Sequence, residues 1–491
     1  MTDQVPALQV IIPLLGAPLC ALTRSARAAW LSFLLVACGA LACATVLAVR
    51  VADGEVVRYA MGGWDAPVGI EYVIAPFNTP LLLLVSGIAV IVAIYSKRNL
   101  VTEIESSRIP LVYACLCLVL TGLLGITATG DAFNAFVFIE IASLSSYALI
   151  AMGRRRRALL AAFQYLIVGS IGAVFILIGI GLAYSVTGSL NMADLATRLP
   201  EIYGNRALTA AVAFVFVGLA VKMAVFPLHS WLPGAYAEAP SAVSVFLSAT
   251  GTKVAIYLFI RLAFTTFGTA LVFGIMPIGV IGLVLACLGM VVGSAIACFQ
   301  TDLKYLLAWS SVAQIGYIVA GFSLATTAGL TASYLQMIGH SVTKGALFAA
   351  AGILVLRLGA VRLENLSGLA RTMPWTFGAI VITGAGLVGL PFTAGFVAKW
   401  ALATALIEQG QVLVLVAVLV SSLLAMVYVG RIVEAAWFHA PLETPTRRPV
   451  PRTMAIAMWM LVALSVYLGV DATISAGLAE RAADFLLTGG E

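Results

Sequence analysis

The amino-acid sequence predicts an all-α polytopic membrane protein with about fourteen transmembrane helices. Of its 491 residues, 62% are hydrophobic and only 10% are charged, and the mean hydropathy is +1.09. The apolar residues occur in runs of about 20 residues or more, which is long enough to cross a bilayer as a helix. The polar stretches between these runs are short loops, so no large soluble domain is expected.

Fourteen apolar segments account for most of the chain. The segment at 303–324 is the least apolar, because Ser310, Ser311, Gln314 and Tyr317 interrupt it. The predicted spans are 6–23, 29–50, 74–96, 109–129, 131–152, 159–185, 208–237, 241–266, 271–298, 303–324, 330–357, 374–407, 411–438 and 453–476.

The basic residues of the loops predict how the chain is oriented. Arg24 and Arg27 follow the first apolar run instead of preceding it, so this run is not a cleavable signal and the N-terminus is expected outside. The loops then assigned to the cytoplasm hold most of the other basic residues. This asymmetry predicts both termini outside and a multi-pass protein of a bacterial or archaeal inner (cytoplasmic) membrane. It also accounts for most of the net charge of +6.

The four consecutive arginines at 154–157 have two interpretations. They are compatible with a patch that binds nucleic acid or lipid headgroups, or with an anchor on the cytoplasmic side between spans five and six. The topology favours the anchor, and no nucleic-acid partner is expected.

The seven cysteines fall within apolar spans or at their edges. None forms the CxxC pair that is typical of zinc or iron–sulfur sites. No metal site, redox centre or cofactor is therefore predicted.

Four of the six lysines lie in the middle of apolar segments: Lys222, Lys253, Lys344 and Lys399. An ammonium at the bilayer centre costs about 2.5–3.5 kcal/mol on insertion scales, and these amines are too far from either interface to snorkel out. Glu140, in the middle of span five, is a candidate partner, because pairing removes most of the cost of both charges. A neutral, hydrogen-bonded glutamic acid is the alternative. Charges in such positions are typical of a proton or ion pathway.

Two spans are interrupted by proline and glycine. The seventh contains Pro227 and Pro233 on either side of His229, and the twelfth contains Gly389-Leu390-Pro391 shortly before Lys399. Proline removes a backbone donor and opens a helix. Irregular backbone at membrane depth is tolerated only where protein or water supplies hydrogen bonds. Paired broken helices indicate an ion site in transporters that are built from inverted repeats.

The two breaks lie five spans apart, which predicts two inverted five-helix repeats, spans 4–8 and spans 9–13. Because Lys222 precedes its proline and Lys399 follows its own, we expect only architectural repetition. The predicted organisation is N-terminal helices 1–3 at 1–108, a first antiporter-like repeat at 109–266, a second at 271–438, and C-terminal helix 14 at 439–491.

Further polar residues recur at helical spacing and form two stripes. The stripes are Ser241, Ser244, Ser248 and Thr252, which lead toward Lys253, and Gln336, His340 and Lys344. Helix–helix packing is the alternative role for the serines and threonines. His340, taken without its neighbours Gln336 and Lys344, is also compatible with a packing role. Asp302 and Lys304, at the start of span ten, are expected to be interfacial and structural.

Four segments carry a resemblance to a known family: Gly130–Glu140, Lys222–Ser241, Asp302–Ser311 and Gly389–Lys399. In these segments the chain resembles the antiporter-like subunits shared by Mrp-type cation/proton antiporters, respiratory complex I (subunits L, M and N) and membrane-bound hydrogenases. The resemblance covers essentially the whole chain in order. Within the family, the residues at 185–194 and 62–64 look most like the D-type subunit of Mrp antiporters.

The resemblance implies fourteen spans, two inverted five-helix repeats and a proton path along a hydrophilic axis in mid-membrane. It assigns roles in this path to the matching residues Glu140, Lys222, Lys253 and Lys399. Many relatives carry a lysine where this chain has Gln164, so no charge is expected from span six.

Glu140 and Lys222 are expected to form a switchable ion pair at the entrance of the axis. When the pair opens, desolvation of the charged amine drives its proton onward through water. The expected receivers are Lys253, then the face of His340 and Lys344, then Lys399. The expected supporting residues are His229, Ser248, Thr252 and Gln336.

Three kinds of multi-subunit assembly are compatible with such a subunit, which is not expected to have a catalytic centre of its own. The first is an Na⁺(K⁺)/H⁺ antiporter in which this chain handles the protons. The sodium path would then belong to partner subunits, since sodium prefers several oxygen ligands and buried carboxylates are scarce here. The second is a redox complex related to complex I or a hydrogenase, and the third is a proton-driven inorganic-carbon uptake system. A stand-alone solute carrier is not favoured, because no side chains suggest a substrate pocket.

Overall fold

The computed structural model describes residues 2–52, 54–153, 155–439 and 449–489. Within these ranges, thirteen helices are long and apolar enough to cross a membrane, and two short strands pair as an antiparallel hairpin. The elements are α1 Val5–Leu22, α2 Ala26–Val51, β1 Val57–Ala60, β2 Glu71–Ile74, α3 Thr79–Glu103, α4 Ile109–Ala128, α5 Ala132–Ala151, α6 Arg156–Thr187, α7 Met192–Arg198, α8 Arg206–Met223, α9 Leu232–Glu238, α10 Ser241–Arg261, α11 Ile278–Phe299, α12 Leu303–Ser323, α13 Thr327–Leu358, α14 Pro374–Val388, α15 Ala394–Glu408, α16 Val412–Phe438, α17 Arg452–Val470 and α18 Thr473–Thr488.

The predicted twelfth span, 374–407, consists of two helices instead of one. Its halves, α14 and α15, have 15 residues each and are separated by a non-helical segment at 389–393. A helix of that length rises only about 22 Å, which is less than the hydrocarbon thickness of about 30 Å. The two halves together therefore make one crossing, which with the thirteen long helices corresponds to the fourteen predicted spans.

Three predicted boundaries are wrong. Span three was expected at 74–96, but residues 71–74 form β2 and the helix begins at Thr79. Span nine was expected from 271, but α11 begins at Ile278, because wider π-helical turns occupy 270–275 and Pro277 precedes the helix. Span fourteen was expected to reach 476, but α17 ends at Val470 and a separate helix follows. Hydropathy identifies apolar residues but does not show whether their backbone is α-helical.

Two elements that the sequence analysis missed lie at one end of the bundle, which we call the hairpin face. Strand β1 pairs with β2 in the register Val57 to Ile74. Helix α18 packs on α13 through a face of small residues and one leucine. The buried members of that face are Ser475, Ala479, Ala482, Ala483 and Leu486.

The opposite end of the bundle, which we call the basic face, carries the loops at 104–108, 155 and 359–373. Arg155 and Arg357 lie there, and an Arg155 NH2 group donates to the main-chain oxygen of Gly359 at 2.5 Å. This contact joins two loops of the basic face. Arg154, in the basic run 154–157, and the residues 440–448 of the predicted C-terminal segment lie outside the described residues.

Helices pack in the same order in the two predicted repeats. In the first, α4 packs on α5, α5 on α6, and α6 on α8. In the second, α11 packs on α12, α12 on α13, and α13 on both α14 and α15. Small residues permit close approach, as is usual between membrane helices. A Cβ atom on Gly218 of α8 would lie 2.5 Å from the carbonyl oxygen of Gly172 on α6.

Candidate functional site: a line of buried lysines

Lys222 lies in the last turn of α8, beside the first helix break, and contacts two residues of α5. Its Nζ donates to Ser143 Oγ at 2.9 Å and lies 3.5 Å from Oε1 of Glu140. Glu140 and Ser143 are three residues apart and therefore share a helix face. The structure thus brings together the two residues of the expected ion pair, with a hydroxyl as a third member.

Glu140 is less buried than the sequence analysis expected. Its side chain is 28% exposed, whereas that of Lys222 is 6% exposed. The reason is that one side of α5 lies on the surface of the chain, where Val137 and Leu144 are also exposed. Both sides of this helix are apolar, so periodicity did not distinguish the inner side from the outer side. An apolar surface of this kind is suited to lipid or to a partner subunit.

A cavity of about 50 Å³ lies beside Lys222 and extends to α10. Its polar lining includes Ser143, Lys222, Tyr236 and Thr252. The rest of the lining is mainly apolar, but the volume exceeds the roughly 10–15 Å³ that one water molecule needs, and these side chains supply polar partners for it. The cavity thus reaches α10 at Thr252, the residue before Lys253, although Lys253 itself does not line it.

Lys253 is completely buried, and its Nζ donates to the main-chain oxygen of Ser248. The hydroxyl of Ser248 donates instead to the carbonyl oxygen of Val245 at 3.3 Å. Ser248 therefore supports Lys253 through its backbone and not through the hydroxyl that suggested the polar stripe. Lys253 lies close enough to His340 and Lys344 for electrostatic interaction with both.

The face of α13 that carries Gln336, His340 and Lys344 is buried, and its first and last members contact α12. Lys344 Nζ donates to the carbonyl oxygen of Leu307 at 2.7 Å and to Ser310 Oγ at 2.5 Å. Gln336 Nε2 donates to Gln314 Oε1 at 2.6 Å. Both ring nitrogens of His340 are buried without a hydrogen-bond partner among the described residues. An unpartnered imidazole at this point is available for hydrogen bonding to water.

Lys399 lies on α15 but binds the end of α14, across the second helix break. Its Nζ donates to the carbonyl oxygens of Leu387 at 2.7 Å and Val388 at 3.1 Å, and to Ser422 Oγ at 3.0 Å. The same amine lies 4.6 Å from the centre of the Tyr317 ring. The last carbonyls of a helix have no intrahelical donor and carry partial negative charge, so a cation is favoured there.

The three prolines at the breaks do not have equal roles. Pro227 lies in the non-helical segment between α8 and α9, and Pro391 lies between α14 and α15. Pro233 was expected to help open the helix, but it lies in the first turn of α9. Proline is favoured there, since the first helical amides have no intrahelical acceptor. Pro233 therefore begins a helix, and that part of the prediction is wrong.

His229 lies between the two halves of the seventh span, packed among aromatic rings. It stacks on Phe226 with ring centres 5.1 Å apart, and it meets Trp309 edge to face at the same distance. Its Nδ1 is buried without a hydrogen-bond partner among the described residues. The structure does not place His229 in contact with Lys222, so any support it gives would pass through water.

The buried amines donate their hydrogen bonds to nearby acceptors and not to one another. Those of Lys253, Lys344 and Lys399 end on main-chain oxygens and serine hydroxyls, and none joins one amine to another within the described residues. Movement of a proton along the line therefore requires water or rotation of side chains between the amines. The small cavity beside Lys222 is suited to the first such transfer.

Four side chains at the site were not assigned a role from the sequence: Ser143, Tyr236, Ser310 and Ser422. Ser143 had a usable signal, because it follows Glu140 by three residues on one helix face. Ser310 and Ser422 had none, since they reach Lys344 and Lys399 only through the packing of separate helices.

Gln164, where many relatives carry lysine, lies on an exposed side of α6. Among the described residues, no group of three or more His, Cys, Asp or Glu side chains is placed to hold a metal ion.

Known proteins resemble this chain along nearly its whole length. NADH-quinone oxidoreductase subunit N of Desulforudis audaxviator is 40% identical over 92% of this chain and 90% of the relative. The D-type subunit of the Na(+)/H(+) antiporter of Alkalihalophilus pseudofirmus is 30% identical over 88% of this chain and 86% of the relative. A chain of the Mrp complex from Dietzia sp. DQ12-45-1b superposes with a TM-score of 0.90 and 28% identity, covering 99% of this chain and 97% of that one.

The family model described as "NADH:quinone oxidoreductase/Mrp antiporter, TM" matches residues 128–425. That range begins just before α5 and ends within α16, so it includes Glu140, Lys222, Lys253, Lys344 and Lys399. The resemblance stated from the sequence motifs is confirmed. The chain belongs to the NADH:quinone oxidoreductase/Mrp antiporter family of transmembrane proteins.

Proposed function

We propose that this chain is the proton-translocating membrane subunit of a multi-subunit Na⁺(K⁺)/H⁺ antiporter. The observation that carries the proposal is the line of four buried lysines, of which Lys222 is paired with Glu140 at 3.5 Å. Each such charge opposes insertion by about 2.5–3.5 kcal/mol, and a purely structural helix has no need of it. A relative named as the D-type subunit of an Na(+)/H(+) antiporter supports the choice of assembly.

The proposed transfer begins with a proton on Lys222, held by the Glu140 carboxylate and the Ser143 hydroxyl. When the pair separates, the ammonium loses its counter-charge in an apolar surrounding and gives up its proton to water in the adjoining cavity. The neutral amine of Lys253 accepts that proton. Moving one charge across the membrane field releases about 2.3 kcal/mol per 100 mV, which is comparable to the cost of burying one ammonium.

Later transfers follow the second repeat. His340 and Lys344 lie within electrostatic range of Lys253, and Lys399 binds the carbonyl end of α14 at the second break. Gln336 and Gln314 join α13 to α12 beside this route, and a Gln314 Nε2 donates to the carbonyl oxygen of Leu387 at 3.5 Å. We propose that the proton passes in the order Lys222, Lys253, the His340 and Lys344 face, and Lys399.

The cation half of the exchange belongs to partner subunits in this proposal. Sodium prefers several oxygen ligands. Among the described residues, the buried carboxylates are Glu71, Asp131 and Glu238, and they do not form a cluster. The exposed apolar side of α5, around Glu140, is suited to a neighbouring membrane subunit. The chain has no catalytic centre of its own in this proposal.

The proposed location is a bacterial or archaeal cytoplasmic membrane, with the basic face in the cytoplasm and both termini outside. Arginines concentrate on the basic face, as the positive-inside rule requires. The proposed units are the N-terminal helices at 1–108, the repeats at 109–266 and 271–438, and the C-terminal segment at 439–491. The matching order of helix contacts in the two repeats supports this division.

The test is proton flux in the purified complex, reconstituted in vesicles of phosphatidylethanolamine and phosphatidylglycerol. Glu140→Ala and Lys222→Ala are expected to abolish flux while co-purification with the partner subunits is unchanged. Glu408→Gln, which changes an exposed carboxyl of α15, is the matched control and is expected to keep full flux. Wild-type flux in both Ala variants would refute the proposal.

A second candidate is the proton-pumping membrane subunit of a redox complex. The 40% identity to a relative named NADH-quinone oxidoreductase subunit N favours it. The two candidates predict different partners. Purification from native membranes followed by mass spectrometry separates them, because a redox complex brings iron–sulfur proteins with it and an antiporter brings further hydrophobic subunits.

A further inference from the structure

A second cavity, of about 420 Å³, lies on the basic face and is far larger than the one beside Lys222. Its rim includes the exposed residues Arg155 and Gly359, and its inner wall is formed by the end of α9 and the start of α12. We call this cavity the vestibule. Its volume is ample for water, which needs about 10–15 Å³ per molecule on this measure.

Glu238, the last residue of α9, lines the vestibule with an incompletely bonded carboxyl group. The residue is only 7% exposed. Its Oε1 accepts a hydrogen bond from Tyr305 OH at 3.1 Å, whereas its Oε2 is buried with no hydrogen-bond partner among the described residues. An unpaired carboxylate oxygen is costly to bury. An ionised Oε2 therefore needs a donor such as water, and a protonated Oε2 needs an acceptor.

Glu103, the other carboxyl of the vestibule, is fully engaged. Its Oε2 accepts from the amide of Ser241 at 2.7 Å, and its Oε1 accepts from Ser241 Oγ at 2.6 Å and from Asn99 Nδ2 at 2.8 Å. It thus caps the N-terminus of α10, where its charge is favourable. The contrast leaves Glu238 as the vestibule carboxyl with an oxygen that has no partner among the described residues.

One polar helix face leads from the vestibule toward the buried lysines. Helix α10 begins at Ser241 and carries Ser244 and Ser248 toward Lys253. Helix α12 begins at Leu303, and its Ser310, about two turns further on, contacts Lys344. Glu238 lies beside the start of both helices, since Tyr305 OH donates to its Oε1.

Both positively and negatively charged side chains surround Glu238, and they come from several helices and loops. Lys304 is 5% exposed, and its Nζ donates to the carbonyl oxygen of Ala239 at 2.7 Å, which holds the residue after Glu238 in place. Lys304 is thus buried and not interfacial, and its structural role stays a prediction. The charged and titratable groups that face the vestibule or interact with Lys304 and Tyr305 are Glu103, Arg155, Arg157, Asp302, Lys304, Tyr305 and Arg357.

We propose that Glu238 is the carboxyl through which the vestibule exchanges protons with the buried lysines. Its carboxylate takes a proton from vestibule water and becomes a neutral acid. It then donates this proton through water and hydroxyl groups to the amine of Lys253 or Lys344, and returns to the carboxylate. Tyr305 is a positioning residue that orients the carboxyl by holding Oε1. The inference rests on the proposed function and names the site at which its proton path meets the basic face.

The test uses the intact complex in the same vesicles, with flux measured as the pH on the basic face is varied. Glu238→Gln keeps the acceptor for Tyr305 but cannot carry a proton, and we expect a loss of about 100-fold, typical of removing a proton-transfer group. Glu238→Asp is expected to restore part of the flux. Tyr305→Phe is expected to shift the dependence on basic-face pH while flux persists. Glu105→Gln, on an exposed carboxyl of the same face, is the matched control and should change nothing.

The outcomes separate this inference from the proposed function. Full flux in Glu238→Gln, together with none in Glu140→Ala, overturns the role of Glu238 alone. Full flux in both variants overturns both proposals. If Glu238→Gln fails to assemble, the inference is tested on the wild-type complex with dicyclohexylcarbodiimide. This reagent modifies protonated carboxyl groups in apolar surroundings. We expect modification of Glu238 that declines as the pH on the basic face rises. No modification of Glu238 at any pH would overturn the inference.

Discussion

The amine of Lys399 lies 2.7 Å from the carbonyl oxygen of Leu387, which precedes it by 12 residues on the other side of a helix break. A cation from one half of a broken span thus stabilises the open end of the other half. Because the amine is both a candidate proton carrier and the donor to free carbonyls, its protonation state and the geometry of the break are linked. The first prediction follows from this contact.

Lys399→Met is expected to abolish proton flux and also to destabilise the break. The substitution leaves the carbonyl oxygen of Val388 without its donor and that of Leu387 with only the 3.5 Å hydrogen bond from Gln314 Nε2, and an unsatisfied buried group costs about 1–3 kcal/mol. Flux and the thermal unfolding temperature of the complex measure the two effects. Trp400→Leu, at the neighbouring 66% exposed position, is the control and should retain both. Normal flux in Lys399→Met would remove Lys399 from the proton path.

Gly395→Ala is expected to disrupt the second break without touching any charged group. An added Cβ at this position would overlap the carbonyl oxygen of Gly386, because α14 and α15 approach each other closely there. We expect reduced assembly and flux, since the backbone must move to relieve the overlap. Gly378→Ala, on α14 with open space around its Cβ, should behave as wild type. Equal behaviour of the two variants would contradict the observed packing.

Ser310→Ala is expected to lower flux, whereas Ser311→Ala is expected to leave it nearly unchanged. Both side chains are buried and adjacent, but only Ser310 Oγ contacts Lys344, at 2.5 Å. Ser311 Oγ donates to the carbonyl oxygen of Leu307 at 3.1 Å. Loss of the hydroxyl removes one of the two partners of the buried amine, a change of about 1–3 kcal/mol. If both variants lose flux equally, the effect comes from packing of α12 and not from Lys344.

Glu71→Ala is expected to loosen the hairpin face. The carboxylate of Glu71 is buried, and its Oε1 accepts from Asn191 Nδ2 at 2.7 Å. Its pairing with Arg58 at 3.1 Å contributes less, because the Arg58 side chain is 55% exposed. Leaving the Asn191 amide unpaired should cost about 1–3 kcal/mol, measured as a lower unfolding temperature. Glu55→Ala, at a side chain that is 60% exposed, should not shift it.

Asp471 is expected to make the start of α18 sensitive to acid. Its Oδ1 accepts from the amide of Thr473 at 3.0 Å, and hydrogen bonding from Thr473 lowers the pKa of Asp471. Because the folded state favours the carboxylate, the stabilisation is present above the usual carboxyl pKa of about 4. It is lost as the pH falls through the lowered pKa. The protection of the amides in the first turn of α18, taken as the intrinsic exchange rate at each pH divided by the observed rate, should therefore fall on acidification. Asp471→Asn keeps an acceptor for the Thr473 amide but does not titrate, so it should abolish the pH dependence of this protection. An unchanged pH dependence in the variant would show that another group causes it.

The sequence was sufficient for features that depend on composition and local spacing. The membrane spans follow from long apolar runs, and the two broken spans follow from proline and glycine within such runs. Lys222, Lys253, Lys344 and Lys399 stand out because charge is expensive in hydrocarbon. The contact between Lys222 and Glu140 was anticipated for the same reason, since each residue needs a partner.

Other features depend on contacts between distant segments, and spacing along the chain carries little information about those. Pro233 begins a helix because the chain turns just before it. Ser248 holds Lys253 through a carbonyl, and Glu140 is 28% exposed because of where α5 sits in the bundle. The hairpin and α18 were missed because short or amphipathic elements outside long apolar runs give weak hydropathy signals.

The chain by itself indicated that four lysines are buried, because the cost of placing an amine among apolar residues is read directly from its neighbours. Only the tertiary structure decided what those charges touch. Contacts of α8 with α5, of α13 with α12, and of α15 with α14 and α16 select the oxygens that meet three of the amines, and they leave one oxygen of Glu238 beside the vestibule without a partner among the described residues. Hydrogen bonds act over about 3 Å, so these partners are set by how helices far apart in sequence come together.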